Sequence, residues 1–111
     1  MNKDSTRYYS DRQEKKLAKM LNGKKQSNSG ATAFQKGDVL TKLFLIEAKT
    51  KTKESESFTI KKEWLEKNKE EAIAMGKSYS ALVIDFGDGK QHYIINESLF
   101  RYLNDRLQED I

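Results

Sequence analysis

Hydrophobic and polar positions along this chain fall into two periods, and the switches between them predict the elements. Leu17, Ala18 and Leu21 recur at helical spacing, so a helix is expected from about Asp11 to about Leu21. Ser10 followed by Gln13 fits a capping box at its start, and Gly23 is a suitable terminator. Residues 24–37 are rich in Lys, Ser and Gly and read as a loop. Two strands follow, Gly37 to Leu40 and Leu43 to Lys49, joined by a tight turn near Thr41-Lys42. A polar, charged loop covers 50–57, with a short strand possible at Ser57 to Ile60. A second helix is expected over Lys61 to Met75, with Trp64, Leu65, Asn68, Ala72 and Met75 on one face and Gly76 closing it. Ser80 to Phe86 is a nearly continuous apolar run, as in a strand covered on both sides. Asp88-Gly89 marks a hairpin and Gln91 to Ile95 the return strand. Asn96 or Ser98 caps a last helix with Leu99, Phe100, Leu103 and Leu107 inward. This succession predicts an α/β (α+β) domain: a central mixed β-sheet flanked by helices, spanning 1–111 as one unit with residues 1–9 as a flexible N-terminus.

Composition narrows the chemistry. The chain has no cysteine and one histidine, which excludes disulfide scaffolds, thiol nucleophiles and zinc fingers. No apolar run approaches the ~20 residues of a membrane span, and Met1 to Ser10 lack a signal-peptide core, so a cytoplasmic protein is expected. Residues 1–62 hold 15 basic and 7 acidic side chains (+8), whereas residues 63–111 hold 6 and 10 (−4). A basic half of a small domain suits a polyanion such as nucleic acid, and equally a solvated lysine-rich surface.

Three carboxylates stand out. Glu14 shares a helical stripe with Leu17, Ala18 and Leu21, while Arg12, Lys15, Lys16 and Lys19 take the opposite face. Taken alone, Glu14 reads as an acid that snorkels to water near the helix start. Glu47 and Lys49 point the same way from a strand, because side chains alternate. Taken alone, they read as an ion pair. If the turn pairs Leu40 with Leu43, Asp38 faces Leu45 and becomes a diagonal neighbour of Glu47. Two such acids on an otherwise apolar strand are costly to bury unless a cation sits between them, and oxygen-only donors favour Mg²⁺ or Mn²⁺.

Taken together, Glu14, Gly37-Asp38 and Glu47-Ala48-Lys49, in the order helix, strand, strand, resemble the PD-(D/E)XK nuclease superfamily. They are most similar to its small archaeal-type Holliday junction resolvases, including phage-encoded relatives. The likeness covers roughly residues 8–95 and includes the IEAKT segment (Ile46 to Thr50), the polar loop after it and the KKEWL helix start (Lys61 to Leu65). Gly37 stands where that family often has proline, and only eight residues separate Asp38 from Glu47.

The resemblance implies a restriction-endonuclease-like αβββαβ core and Mg²⁺-dependent phosphodiester hydrolysis. Asp38, Glu47 and the Ala48 carbonyl would hold the ion, with Glu14 completing the site. Lys49 would orient the attacking water or stabilise the pentavalent charge. Lys24, Lys25, Ser27, Ser29, Lys36, Lys51, Lys53, Lys61 and Lys62 would contact DNA phosphates. Near two-fold junctions cut in pairs imply a homodimer, with Tyr102 or Phe58 as candidate contacts. Trp64 and His92 read as structural. Gly87-Asp88-Gly89-Lys90 lacks Walker spacing and reads as a turn, so no nucleotide cofactor is expected. The competing expectations are another nicking or restriction-like nuclease, and a non-catalytic basic nucleic-acid-binding domain.

Overall fold

Good helix formers through the Lys-rich N-terminal stretch give helix α1 (Thr6–Met20) in the computed structural model, which describes residues 6–26 and 39–111. The helix begins a turn earlier than its apolar stripe predicts. Residues 6–9, expected to be flexible, are therefore helical, and Ser10 lies inside the helix, so the capping box does not form. The chain leaves the helix through Asn22, at φ 54, and the Gly23 amide donates to the Ala18 carbonyl at 2.8 Å. Gly23 serves a close approach: a Cβ there would stand 2.6 Å from the Leu40 carbonyl oxygen.

That approach brings Lys24–Lys25, read from sequence as loop, alongside Val39–Leu40 as strands β1 and β2, with Lys24 opposite Leu40 and Lys25 opposite Val39. A two-residue strand has no local signature, because its reason to exist is the partner. Gly37 and Asp38, the expected start of the second of these strands, lie outside the described residues. Strand β3 (Phe44–Thr50) then pairs antiparallel with β2, Leu40 opposite Leu45 and Val39 opposite Ile46. This corrects the expected pairing of Leu40 with Leu43. Thr41 closes the turn: its amide donates to the Phe44 carbonyl at 3.0 Å, and its Oγ1 accepts from the Phe44 amide at 3.0 Å. The tip is thus Lys42-Leu43. The register moves by two residues, so the assignment of side chains to faces survives.

Strand β3 pairs in parallel with β4 (Tyr79–Asp85), and the crossover that a parallel pair requires is helix α2 (Lys62–Ala74). No strand forms at 57–60. Instead the loop after β3 is tied to the end of β4, with the Lys51 amide donating to the Asp85 carbonyl at 3.0 Å and the Ser55 amide to the Phe86 carbonyl at 2.8 Å. Strand β5 (Gln91–Ile94) returns antiparallel. The sheet runs β1-β2-β3-β4-β5, mixed in direction, and the first six elements follow the expected α-β-β-β-α-β order.

The two faces of the sheet are covered differently. Leu17 of α1 packs with Val39, Ile46, Ala48, Ala81 and Val83, which defines the α1 face. By alternation Leu45 and Leu82, both fully buried, belong to the other face, against α2. There Asn68 is buried and donates to the Ala81 carbonyl at 2.9 Å. Ala72 and Glu71 are buried beside it, whereas Leu65, expected inward, is exposed. No described helix is long and apolar enough to cross a membrane.

Helix α3 (Glu97–Glu109) is capped as expected, Asn96 Oδ1 accepting from the Leu99 amide at 2.8 Å. Its packing differs from expectation. Leu99 is buried, but Phe100 is 62% exposed, Leu103 42% and Leu107 67%. The α1 and α2 layers already cover the sheet, so this helix extends past the core with its apolar stripe uncovered.

Two substitutions test the packing. Gly23→Ala is expected to destabilise the fold by about 1–3 kcal/mol, because the new methyl meets backbone that must move. Asn68→Ala is expected to cost about 1–3 kcal/mol by removing a buried hydrogen bond to the Ala81 carbonyl and leaving space beneath the strand. Urea unfolding followed by circular dichroism measures both.

Candidate active site

The acid–base pair of β3 is placed by strand alternation. With Ile46 and Ala48 facing α1, Glu47 and Lys49 project together toward α2. The Lys49 ammonium stands 4.4 Å from the centroid of the Trp64 ring on α2, and Lys61 lies 5.9 Å from the same ring. Trp64 therefore is a half-buried platform beneath two cations, and a cation–π contact of this kind contributes about 0.5–2 kcal/mol. It restricts where the Lys49 ammonium can sit. Glu47 is half-buried opposite Leu82 in the parallel pair, at the centre of the sheet.

Glu14 is 5% exposed, so it does not snorkel to water as the lone-residue reading has it. Helix α1, which carries it, covers the face opposite to that of Glu47 and Lys49. The helix acid and the strand acid thus approach β3 from two sides. The described β2–β3 pairs are Leu40 with Leu45 and Val39 with Ile46, one residue short of Glu47. Asp38, the third acid, lies outside the described residues, as do Ser27, Ser29 and Lys36. Among the described residues no group of three or more His, Cys, Asp or Glu side chains could hold a metal ion. The donors within the expected set are two carboxylates and the Ala48 carbonyl, all oxygen, which matches a hard cation such as Mg²⁺ in type.

Sequence reasoning missed a buried polar chain next to this site. Gln13, 3% exposed, turns inward, and its Nε2 donates to the Lys49 carbonyl at 2.9 Å and to Gln91 Oε1 at 3.0 Å. Gln91 Nε2 in turn donates to Asp85 Oδ2 at 2.7 Å. Asp85 Oδ1 accepts from the amides of Gly87 at 2.8 Å and Gly89 at 3.0 Å, which fixes the β4–β5 hairpin. One network therefore connects the residue before Glu14, the backbone of Lys49 and the hairpin. The available signal was Asp85 itself, a carboxylate at the end of an otherwise apolar run.

The basic residues expected to meet DNA have varied surroundings. Lys24 and Lys25 are exposed on β1, and Lys25 is paired with Asp11 of α1. Lys51 lies 5.1 Å from the Phe58 ring, and Lys53 is exposed in the adjoining loop. Lys61 and Lys62 stand exposed where α2 begins. Lys51, Lys53 and Lys61 lie beyond the C-terminal end of β3, where Lys49 also meets Trp64. His92 is a strand residue packed edge-on to Phe86, and Gly87 to Lys90 form a hairpin turn, as expected.

Comparison of the chain with protein-family models, with curated proteins and with solved structures finds no match.

The polar chain is expected to act as a unit. Gln13→Leu and Asp85→Ala should each destabilise by about 1–3 kcal/mol. In a double-mutant cycle they should couple by more than about 0.5 kcal/mol despite having no direct contact. Chemical denaturation of the four proteins reads the coupling.

Proposed function

We propose that this protein is a metal-dependent DNA endonuclease that cuts branched DNA, four-way junctions foremost, as a homodimer. The observation that carries the reading is on β3. A charged pair, Glu47 and Lys49, occupies one face of a central strand whose other face is core, and the ammonium is held on Trp64. Burial of a carboxylate and a positioned lysine on a covered strand costs stability, which a chemical role explains. Support also comes from the α-β-β-β-α-β order. Asp38 is bonded directly to Val39, whose partner Ile46 adjoins Glu47.

In this reading Asp38, Glu47 and the Ala48 carbonyl would hold Mg²⁺, or Mn²⁺ in its place. When bound, such an ion would supply Lewis acidity and a more acidic water. Lys49 supplies a fixed positive charge for the phosphoryl oxygens as charge builds on them. Trp64 keeps that ammonium from wandering. The lysines beyond the C-terminal end of β3, with Lys24, Lys25, Ser27, Ser29, Lys36 and Lys62, position the DNA backbone without reading bases. The site of action would be the cytoplasm, on cellular or phage DNA.

The dimer contact belongs on α3. Phe100, Tyr102, Leu103 and Leu107 are all exposed along it, and monomers rarely leave apolar patches beyond a few hundred Å² uncovered. A two-fold contact uses the same patch twice. Phe58, the other candidate, is half-buried against Phe86 and beneath Lys51, so it is engaged within the chain.

Cleavage of a synthetic four-way junction and of linear duplex, with and without Mg²⁺, is the test. Glu47→Ala and Asp38→Ala are expected to abolish cutting and keep junction binding. Lys49→Ala should slow turnover about a hundredfold or more. Cutting that ignores branching would favour a nicking or restriction-like enzyme. Binding with no cutting in either metal would leave a basic DNA-binding domain. Leu103→Lys combined with Leu107→Lys should give a monomer by sedimentation, with the helical content retained.

A further inference from the structure

A polar cleft of about 240 Å³ opens between α1, the end of β3 and the β4–β5 hairpin. Arg12 and Lys16, one helical turn apart on α1, form one side, and Thr50 and Lys51 form the other, the Lys51 ammonium being held on the Phe58 ring. Its floor is the Gln13–Gln91–Asp85 network described above. The glycines of the hairpin form the third wall, and Lys16 Nζ donates to the Gly89 carbonyl at 2.6 Å, which holds that wall against α1.

The carboxylates of the cleft are two. Asp85 has both oxygens engaged by the Gly87 and Gly89 amides and Gln91, so it is a structural part of the floor. Asp88 stands at the rim with Oδ1 accepting from the Lys90 amide. Arg12 and Lys16, beside one acid already engaged and one at the rim, in a water-open recess too small and too polar for a cofactor-sized ligand, select a compact anion. Thr50 and Lys51 follow Glu47-Ala48-Lys49 directly in the chain. Four residues of extended strand separate Glu47 from Lys51, about 13 Å.

We infer that the cleft beside Arg12 and Lys16 binds a backbone phosphate of DNA remote from the bond to be cut. The choice of DNA depends on the nuclease reading; the anion site itself does not. Its role is to fix the direction in which the strand leaves the site. Because Gln13 contacts both the cleft and the Lys49 carbonyl, the phosphate seat and the catalytic strand are held in one frame.

The experiment is DNA binding without metal, read by fluorescence anisotropy of labelled duplex and four-way junction across about 50–200 mM salt. Arg12→Ala/Lys16→Ala should lower the slope of log affinity against log salt by about 1, the loss of one phosphate contact. Arg12→Ala alone should weaken binding severalfold, which guards against a loosened hairpin as the cause in the double variant. Lys67→Ala, an exposed lysine on α2, should leave the slope unchanged, and Asp88→Asn should tighten binding. A slope equal to that of the unaltered protein in Arg12→Ala/Lys16→Ala overturns the proposal. So does saturable binding of inorganic phosphate that these substitutions abolish while DNA binding stays the same. A protein that binds with this pattern but never cuts refutes the nuclease reading and leaves the phosphate seat standing; one that cuts with an unaltered slope does the reverse.

Discussion

The arrangement depends on one constraint: β3 is a central strand covered on both faces, yet one face carries Glu47 and Lys49. Its parallel partner β4 runs beside it over Phe44–Thr50, its antiparallel partner β2 pairs with Leu45 and Ile46, and α1 and α2 close over it. A strand in that position usually reads as a continuous apolar run, as β4 does. Charge is accommodated here because the polar face lies toward the start of α2, where Trp64 offers a ring to the ammonium in place of water. The crossover that the parallel pair demands is therefore also what brings the platform to the lysine.

Several parts of this structure were legible in the chain for physical reasons. The buried strand 79–85, the Asp-Gly hairpin and the Asn96 cap each carry their cause locally, as apolar density, turn chemistry or a side-chain acceptor. The shared face of Glu47 and Lys49 followed from alternation alone, and it survived a turn placed one residue off because the register moved by an even number. What was not legible depends on distant partners. Lys24–Lys25 is a strand only because Gly23 lets it close on Leu40. Gln13 looked like a cap residue, but the helix starts at Thr6 and its amide is instead bound to Lys49 and Gln91. The stripe on α3 was read as core because periodicity reports an apolar face and not what covers it.

The site was legible in part. The Glu-Ala-Lys triplet and the inward Glu14 were visible as residues whose type disagrees with their position. The Asp85–Gln91 portion was not, because a carboxylate at a strand end resembles an ordinary turn acceptor until its neighbours are known. The platform role of Trp64 was also hidden: a tryptophan at helical spacing reads as core, and only the crossover shows the strand lysine it sits beneath.

Polar burial in this molecule falls in two places, Asn68 and Glu71 on the α2 side and a second group over the ends of β3 and β4. Gln13, Glu14 and Asp85 are buried near the C-terminal end of β3 and the end of β4, while the other end of the α1 layer is closed by Leu17, Leu21 and Phe44. A domain of this size has little core to offset such groups, since each desolvated polar side chain costs about 1–3 kcal/mol unless its hydrogen bonds are remade. Gln13, Gln91 and Asp85 recover much of that cost by bonding one another. Replacing all three by apolar residues would serve packing alone at least as well. What apolar residues would not provide is a rigid connection between the Lys49 carbonyl, the helix bearing Glu14 and the hairpin beside Arg12 and Lys16. Polar groups that cost stability yet fix geometry thus tie α1, the end of β3 and the β4–β5 hairpin into one frame.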